Sequence, residues 1–133
     1  MATRERVQER PLSPHLQVYR WQITMVMSIL HRATGVALTV GAFGLAWWLV
    51  SLAIGGETAA RAMACVGSPI GLLFAFAFSL SLVYHFFNGI RHLLWDAGRG
   101  YDIPSVYKTG YTVAGLTVVV TAILWFLALG GVR

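Results

Sequence analysis

Tyr84-His85-Phe86-Phe87-Asn88-Gly89-Ile90-Arg91-His92-Leu93-Leu94-Trp95-Asp96 closes an apolar run that begins near Pro69. The combined segment exceeds the ~20 residues that a helix needs to cross a bilayer. It therefore predicts a membrane span that carries His85 within its hydrocarbon length. Arg91, His92 and Asp96 follow where that helix should leave the lipid. Ionisable groups at membrane depth are costly to place there, so an imidazole in that position marks a candidate functional site. At about 100° per residue, positions four and seven apart share a helix face. Ala77, Ser81, His85, Gly89 and His92 then form one stripe, small except for its two imidazoles. Phe74, Phe78, Leu82 and Phe86 form a separate bulky one. Small neighbours suit a flat macrocycle laid against the helix, and they suit a close-packed partner helix equally well.

The composition agrees with a membrane span. Of 133 residues, 57% are hydrophobic and 11% charged, and the mean hydropathy is +0.68. A water-soluble fold of this size has too little interior to hide that much apolar surface. The expected class is all-α integral membrane, in a single domain covering residues 1–133. The net charge of +5 is spread along the chain rather than massed on one helix, which fits membrane orientation better than nucleic-acid binding. The single Cys65 has no partner for an internal disulfide and no metal-type spacing. The segment before Pro11 has no apolar core, so a secretory signal is not expected. Glu5 and Glu9 argue against an organellar transit peptide, and a bacterial inner membrane is the simplest compartment.

Three spans are expected, at about 24–54, 69–95 and 111–129. They follow a polar N-terminal surface segment, residues 1–22, punctuated by Pro11 and Pro14. Trp47 and Trp48 suit the far interface of the first span, and Gly55-Gly56 ends it. A short loop with Glu57 and Arg61 leads to Pro69, which suits a first helical turn. A second loop holds Gly98, Arg99, Gly100, Tyr101, Asp102, Pro104 and Lys108. Arg4, Arg6, Arg10 and Arg20 lie before the first span and Arg91, Arg99 and Lys108 around the second loop, against Arg61 and Arg133 on the other side. Lys and Arg favour the inner side, so the N-terminus is expected in the cytoplasm. Ser28, His31 and Arg32 at the start of the first span then converge with His85, Arg91 and His92 of the antiparallel second.

The chemistry of these clusters is specific but not unique. His85 could ligate a haem iron, since an intramembrane b-type haem typically takes an imidazole on each side. It could instead be a buried histidine bonded to a neighbouring helix. His92 lies about 10 Å further along the axis, too far to reach the same iron from the same face. It could meet a haem propionate with Arg91 as a second cation, or simply face water. Ser28 and Arg32, four apart, could both donate to a quinone carbonyl, with Arg32 stabilising negative charge that develops there. A packing serine and an arginine snorkelling to headgroups explain the same pair. His31 could face the propionates or the surface. Asp96 could take up a proton for quinone reduction, although a salt bridge to Arg91 or Arg99 is the favoured reading. Trp21, Trp95, Tyr101 and Tyr111 read as interfacial anchors.

Three motifs in order carry a resemblance: Arg10-Pro-Leu-Ser-Pro-His-Leu-Gln-Val-Tyr-Arg20, then Ser28-Ile-Leu-His-Arg32 with Thr34-Gly35, then His85-Phe-Phe-Asn-Gly-Ile-Arg-His92 with Trp95-Asp96. Together they resemble the cytochrome b subunits of succinate dehydrogenase, respiratory complex II, over essentially the whole chain. The resemblance implies a membrane anchor without a complete active site of its own. It also implies a second three-helix anchor packed against this one, with a flavoprotein and an iron–sulfur subunit held on the cytoplasmic face. FAD and iron–sulfur clusters would reside in those partners, and electrons from succinate would reach ubiquinone at the membrane edge. One haem b would sit between the anchors, with His85 as this chain's axial ligand and the other ligand from the partner anchor. Ser28 and Arg32 would line the quinone site, and His31, Arg32 and His92 would lie near the propionates. A fumarate reductase anchor using menaquinol, or a non-redox structural subunit, are the competing expectations.

Overall fold

A computed structural model describes residues 20–130. The N-terminal motif before Arg20, its arginines and Arg133 lie outside the described residues. Four helices follow in order: α1 (Ile23–Ile54), α2 (Gly56–Gly67), α3 (Pro69–Asp96) and α4 (Ile103–Gly130). α1, α3 and α4 are long and apolar enough to span a membrane. At 1.5 Å per residue, the 28 residues of α3 reach about 42 Å. That exceeds the ~30 Å hydrocarbon core, so the ends of the spans project into the headgroup layer.

Two expectations change. The stretch between the first two spans is not a loop but the 12-residue helix α2. Its alanines favour helix, Glu57 and Arg61 pair one turn apart (2.6 Å), and Ala62 is buried beneath it. Gly55 and Gly56, at φ 77° and 55°, make the turn into it. The last span begins at Ile103 rather than Tyr111. Asp102 accepts from the Ser105 amide (3.1 Å) at the helix start, and Pro104 falls in the first turn, where its missing N–H is harmless. Bonding to Ser105 holds the Asp102 carboxyl below its usual pKa.

α3 is the central element. It packs against α1 on one side and α4 on the other, and α2 packs on both α1 and α3. Its own start is capped by the Ser68 hydroxyl, which accepts from the Gly71 amide (3.1 Å), with Pro69 at the first helical position. The few buried apolar residues are Met27, Ala62, Val83 and Val113. Ser51, Asn88, Arg91, Thr117 and Thr121 are buried beside them. That interior would be poor in water. In lipid it is reasonable, because small and polar side chains mark helix contacts while large apolar ones face acyl chains. Ser51 and Thr117 return their hydroxyls to the carbonyls of Trp47 and Val113, one turn back (both 2.8 Å).

Side-chain bonds tie α4 to α3 at both ends. Trp125 Nε1 donates to Ser79 Oγ (2.8 Å) toward the start of α3. Toward its end, Arg91 reaches across to Thr109 and Val106. The corner between α3 and α4 is fastened separately. Trp95 Nε1 donates to the Gly100 carbonyl (3.1 Å), Tyr101 donates to the Trp95 carbonyl, and the two rings stack. An apolar cavity of about 800 Å³ opens between α1, α2 and α3, lined among others by Ala37, Gly41, Trp48, Gly71 and Phe78. It reaches from Trp48 and Gly71 to Ala37 and Ser81, the last of these one turn before His85.

Candidate functional site

The start of α1 and the end of α3 lie side by side, as the charge distribution predicted. Their register is fixed by Tyr84, whose hydroxyl donates to the Met27 carbonyl (2.8 Å). On α1, His31, Thr34 and Gly35 share one stripe, which faces Tyr84, His85, Asn88, Gly89 and His92 on α3. Gly35 lets the His85 ring approach closely: a methyl on Gly35 would meet His85 Cε1 at 3.3 Å. Across the interface, a methyl on Gly89 would touch His31 Cε1 at 4.0 Å.

These glycines allow three imidazoles to gather. His31 stacks on His85 with ring centroids 3.9 Å apart and planes 9° apart. His92 lies 4.9 Å from His31, tilted by 58°, and its other side meets the Trp95 ring edge-on at 5.3 Å. Thr34 Oγ1 sits 3.2 Å from His85 Nδ1. Asn88, fully buried, places its Nδ2 3.4 Å from His92 Nε2. Two polar atoms in this cluster have no hydrogen-bond partner, His31 Nδ1 and Asn88 Oδ1. Trp48 Nε1 and Thr121 Oγ1, outside the cluster, share that condition among the described residues.

Ser28 is half-buried one turn before His31 and Arg32. Arg32 is exposed and makes no ion pair or hydrogen bond with the described residues. The corner thus brings the exposed Arg32 guanidinium beside three imidazoles, a setting suited to anionic groups. Asp96 is exposed and forms neither of the expected bridges to Arg91 or Arg99. Among the described residues the ion pair is Glu57–Arg61.

Arg91 corrects another expectation. It turns away from the histidines. It is 3% exposed, donates from Nε to Thr109 Oγ1 (3.0 Å) and from Nη2 to the Val106 carbonyl (2.9 Å), and lies 4.1 Å over the Trp95 ring. The helical reason is simple: Arg91 and His92 are neighbours about 100° apart, so they cannot serve the same face. Thr34, Tyr84 and Asn88 belong to the site although residue type alone did not single them out. Their signal was spacing, since each lies three or four residues from a histidine or on the stripe opposite one.

Among the described residues, no three His, Cys, Asp or Glu side chains converge as a chelating site for a bare metal ion. A single imidazole ligand suits an iron whose equatorial ligands come from a macrocycle. The three imidazoles and the exposed Arg32 beside them fit such a group with carboxylate arms.

The family model described as the succinate dehydrogenase/fumarate reductase transmembrane subunit matches residues 6–124. The succinate dehydrogenase cytochrome b556 subunit of Rickettsia prowazekii is 44% identical over 117 residues, covering 88% of this chain and 91% of the relative. The mitochondrial succinate dehydrogenase cytochrome b560 subunit of Homo sapiens is 42% identical over 111 residues, covering 82% of this chain. The chain spans 66% of the length of that mitochondrial relative, slightly under two thirds.

Proposed function

The chain belongs to the succinate dehydrogenase/fumarate reductase transmembrane subunit family, and from that membership we propose that it is the haem b-carrying membrane anchor of a succinate:ubiquinone oxidoreductase. The observation that carries the reading is the meeting of His31, Thr34 and Gly35 on α1 with His85 and His92 on α3. Residues 1–133 act as one anchor domain with no complete active site. The N-terminus and the α3–α4 corner face the cytoplasm of a bacterium, where flavoprotein and iron–sulfur subunits dock.

His85 would ligate the haem iron from this chain, with a further ligand supplied by a second anchor subunit. When bound, haem b provides a one-electron store between the iron–sulfur subunit and the quinone. His31, Arg32 and His92 would hold its propionates by hydrogen bonding, with the Arg32 guanidinium adding charge. Ser28 and Arg32 donate to a ubiquinone carbonyl at the headgroup boundary, where Arg32 offsets the charge gained on reduction. The relatives' printed names favour succinate oxidation over the fumarate-reducing, menaquinol-dependent direction that the family description also covers.

The test is a reduced-minus-oxidised spectrum of the complex purified through this chain. A b-type band that is lost or altered in His85→Ala is expected. A wild-type band in that variant would refute the ligand assignment.

A further inference from the structure

We infer that Thr34 and Gly35 form a seat that fixes the tautomer and rotation of the His85 imidazole, leaving Nε2 as the free lone pair. The inference rests on the reading of His85 as a haem ligand and adds a positioning residue to it.

Thr34 Oγ1 lies 2.8 Å from the Leu30 carbonyl and 3.0 Å from the His31 carbonyl, both in the preceding helical turn. Carbonyl oxygens only accept, and the nearest acceptor for the single hydroxyl hydrogen is the Leu30 carbonyl rather than the ring nitrogen. A lone pair is what Thr34 turns toward His85 Nδ1, 3.2 Å away. For that contact to be a hydrogen bond, Nδ1 must carry the ring hydrogen. A neutral imidazole has a single N–H, so Nε2 is then unprotonated, the form in which it binds a metal. Gly35 completes the seat from the next residue. Any side chain there would begin 3.3 Å from His85 Cε1 and push the ring edge away from Thr34.

An acceptor behind the distal N–H of a ligating histidine fixes its orientation and raises its basicity. A more basic ligand favours ferric over ferrous iron. Thr34 therefore holds the haem potential down, and losing its hydroxyl moves the potential in the positive direction.

Thr34→Val keeps the branched shape and removes the acceptor, and Thr34→Ser keeps the acceptor. Both are tested in the purified complex by redox titration and by electron paramagnetic resonance of the oxidised haem. Succinate oxidation by an artificial acceptor is read as a control for assembly. The expected result is a positive shift of midpoint potential in Thr34→Val, a return toward wild type in Thr34→Ser, and an unchanged control. Wild-type potential and resonance in Thr34→Val overturn the seat. If Thr34→Val does not assemble, Gly35→Ala decides: a changed low-spin signal supports the seat and an unchanged one overturns it. A b-type spectrum that survives in His85→Ala would instead count against the ligand assignment itself.

Discussion

At the scale of single residues, the two arginines near the histidines have opposite environments and should behave differently. Arg32 is exposed and unpaired among the described residues, and Ser28 lies one turn away. Arg32→Leu and Ser28→Ala should impair ubiquinone reduction while leaving succinate oxidation by an artificial acceptor intact. An equal fall in both activities would trace the effect to assembly. Arg91 is buried and satisfied by α4. Replacing it with Leu removes two hydrogen bonds from a charged group, each contributing about 1.5–3 kcal/mol, partly offset by relief from burying the charge. A net loss of about 2–3 kcal/mol, read as a lower thermal midpoint of the complex, is expected with the b-band position unchanged. Residue type made His85, His31 and Arg32 conspicuous in the sequence, because charge and imidazole are rare at that depth. It misdirected Arg91, because an arginine beside a histidine reads as part of the same cluster until helical angle separates them.

At the scale of elements, α2 and the start of α4 were hidden by punctuation. Gly55-Gly56 and Pro104 look like breaks, yet both sit at helix starts, where these residues are tolerated. The Ala-rich run with Glu57 four before Arg61 was the legible sign of α2, and Asp102 three before Ser105 was that of α4. The junction of α2 and α3 is tight. A methyl on Gly71 would fall onto the backbone carbonyls of Cys65 and Val66, which cannot move aside as a side chain would. Gly71→Ala should therefore reduce the yield of assembled complex. Gly44→Ala, with nothing within 4 Å, should leave it unchanged. Equal yields of the two variants would mean that α2 packs more loosely than described.

For the whole molecule, length and hydropathy were enough to predict three spans, and the distribution of basic residues was enough to predict which ends meet. The faces were less readable. In water an apolar stripe identifies the buried side of a helix, but in lipid both sides are apolar and the stripe disappears. Phe74 and Phe86 are 71% and 61% exposed, while Asn88 and Thr121 are buried. Orientation can be measured with the single Cys65, exposed on α2 at the end opposite the histidines. A membrane-impermeant maleimide should label it in spheroplasts and not in sealed inverted vesicles, and the reverse pattern would invert the assigned topology. The corner between α3 and α4 lies at the other end, with Trp95 and Tyr101 bonded into it and Arg91 beneath. A protein that lands on this corner finds the connecting backbone already immobilised. Little conformational entropy then remains to be surrendered on assembly, and more of the contact energy is left to hold the complex together.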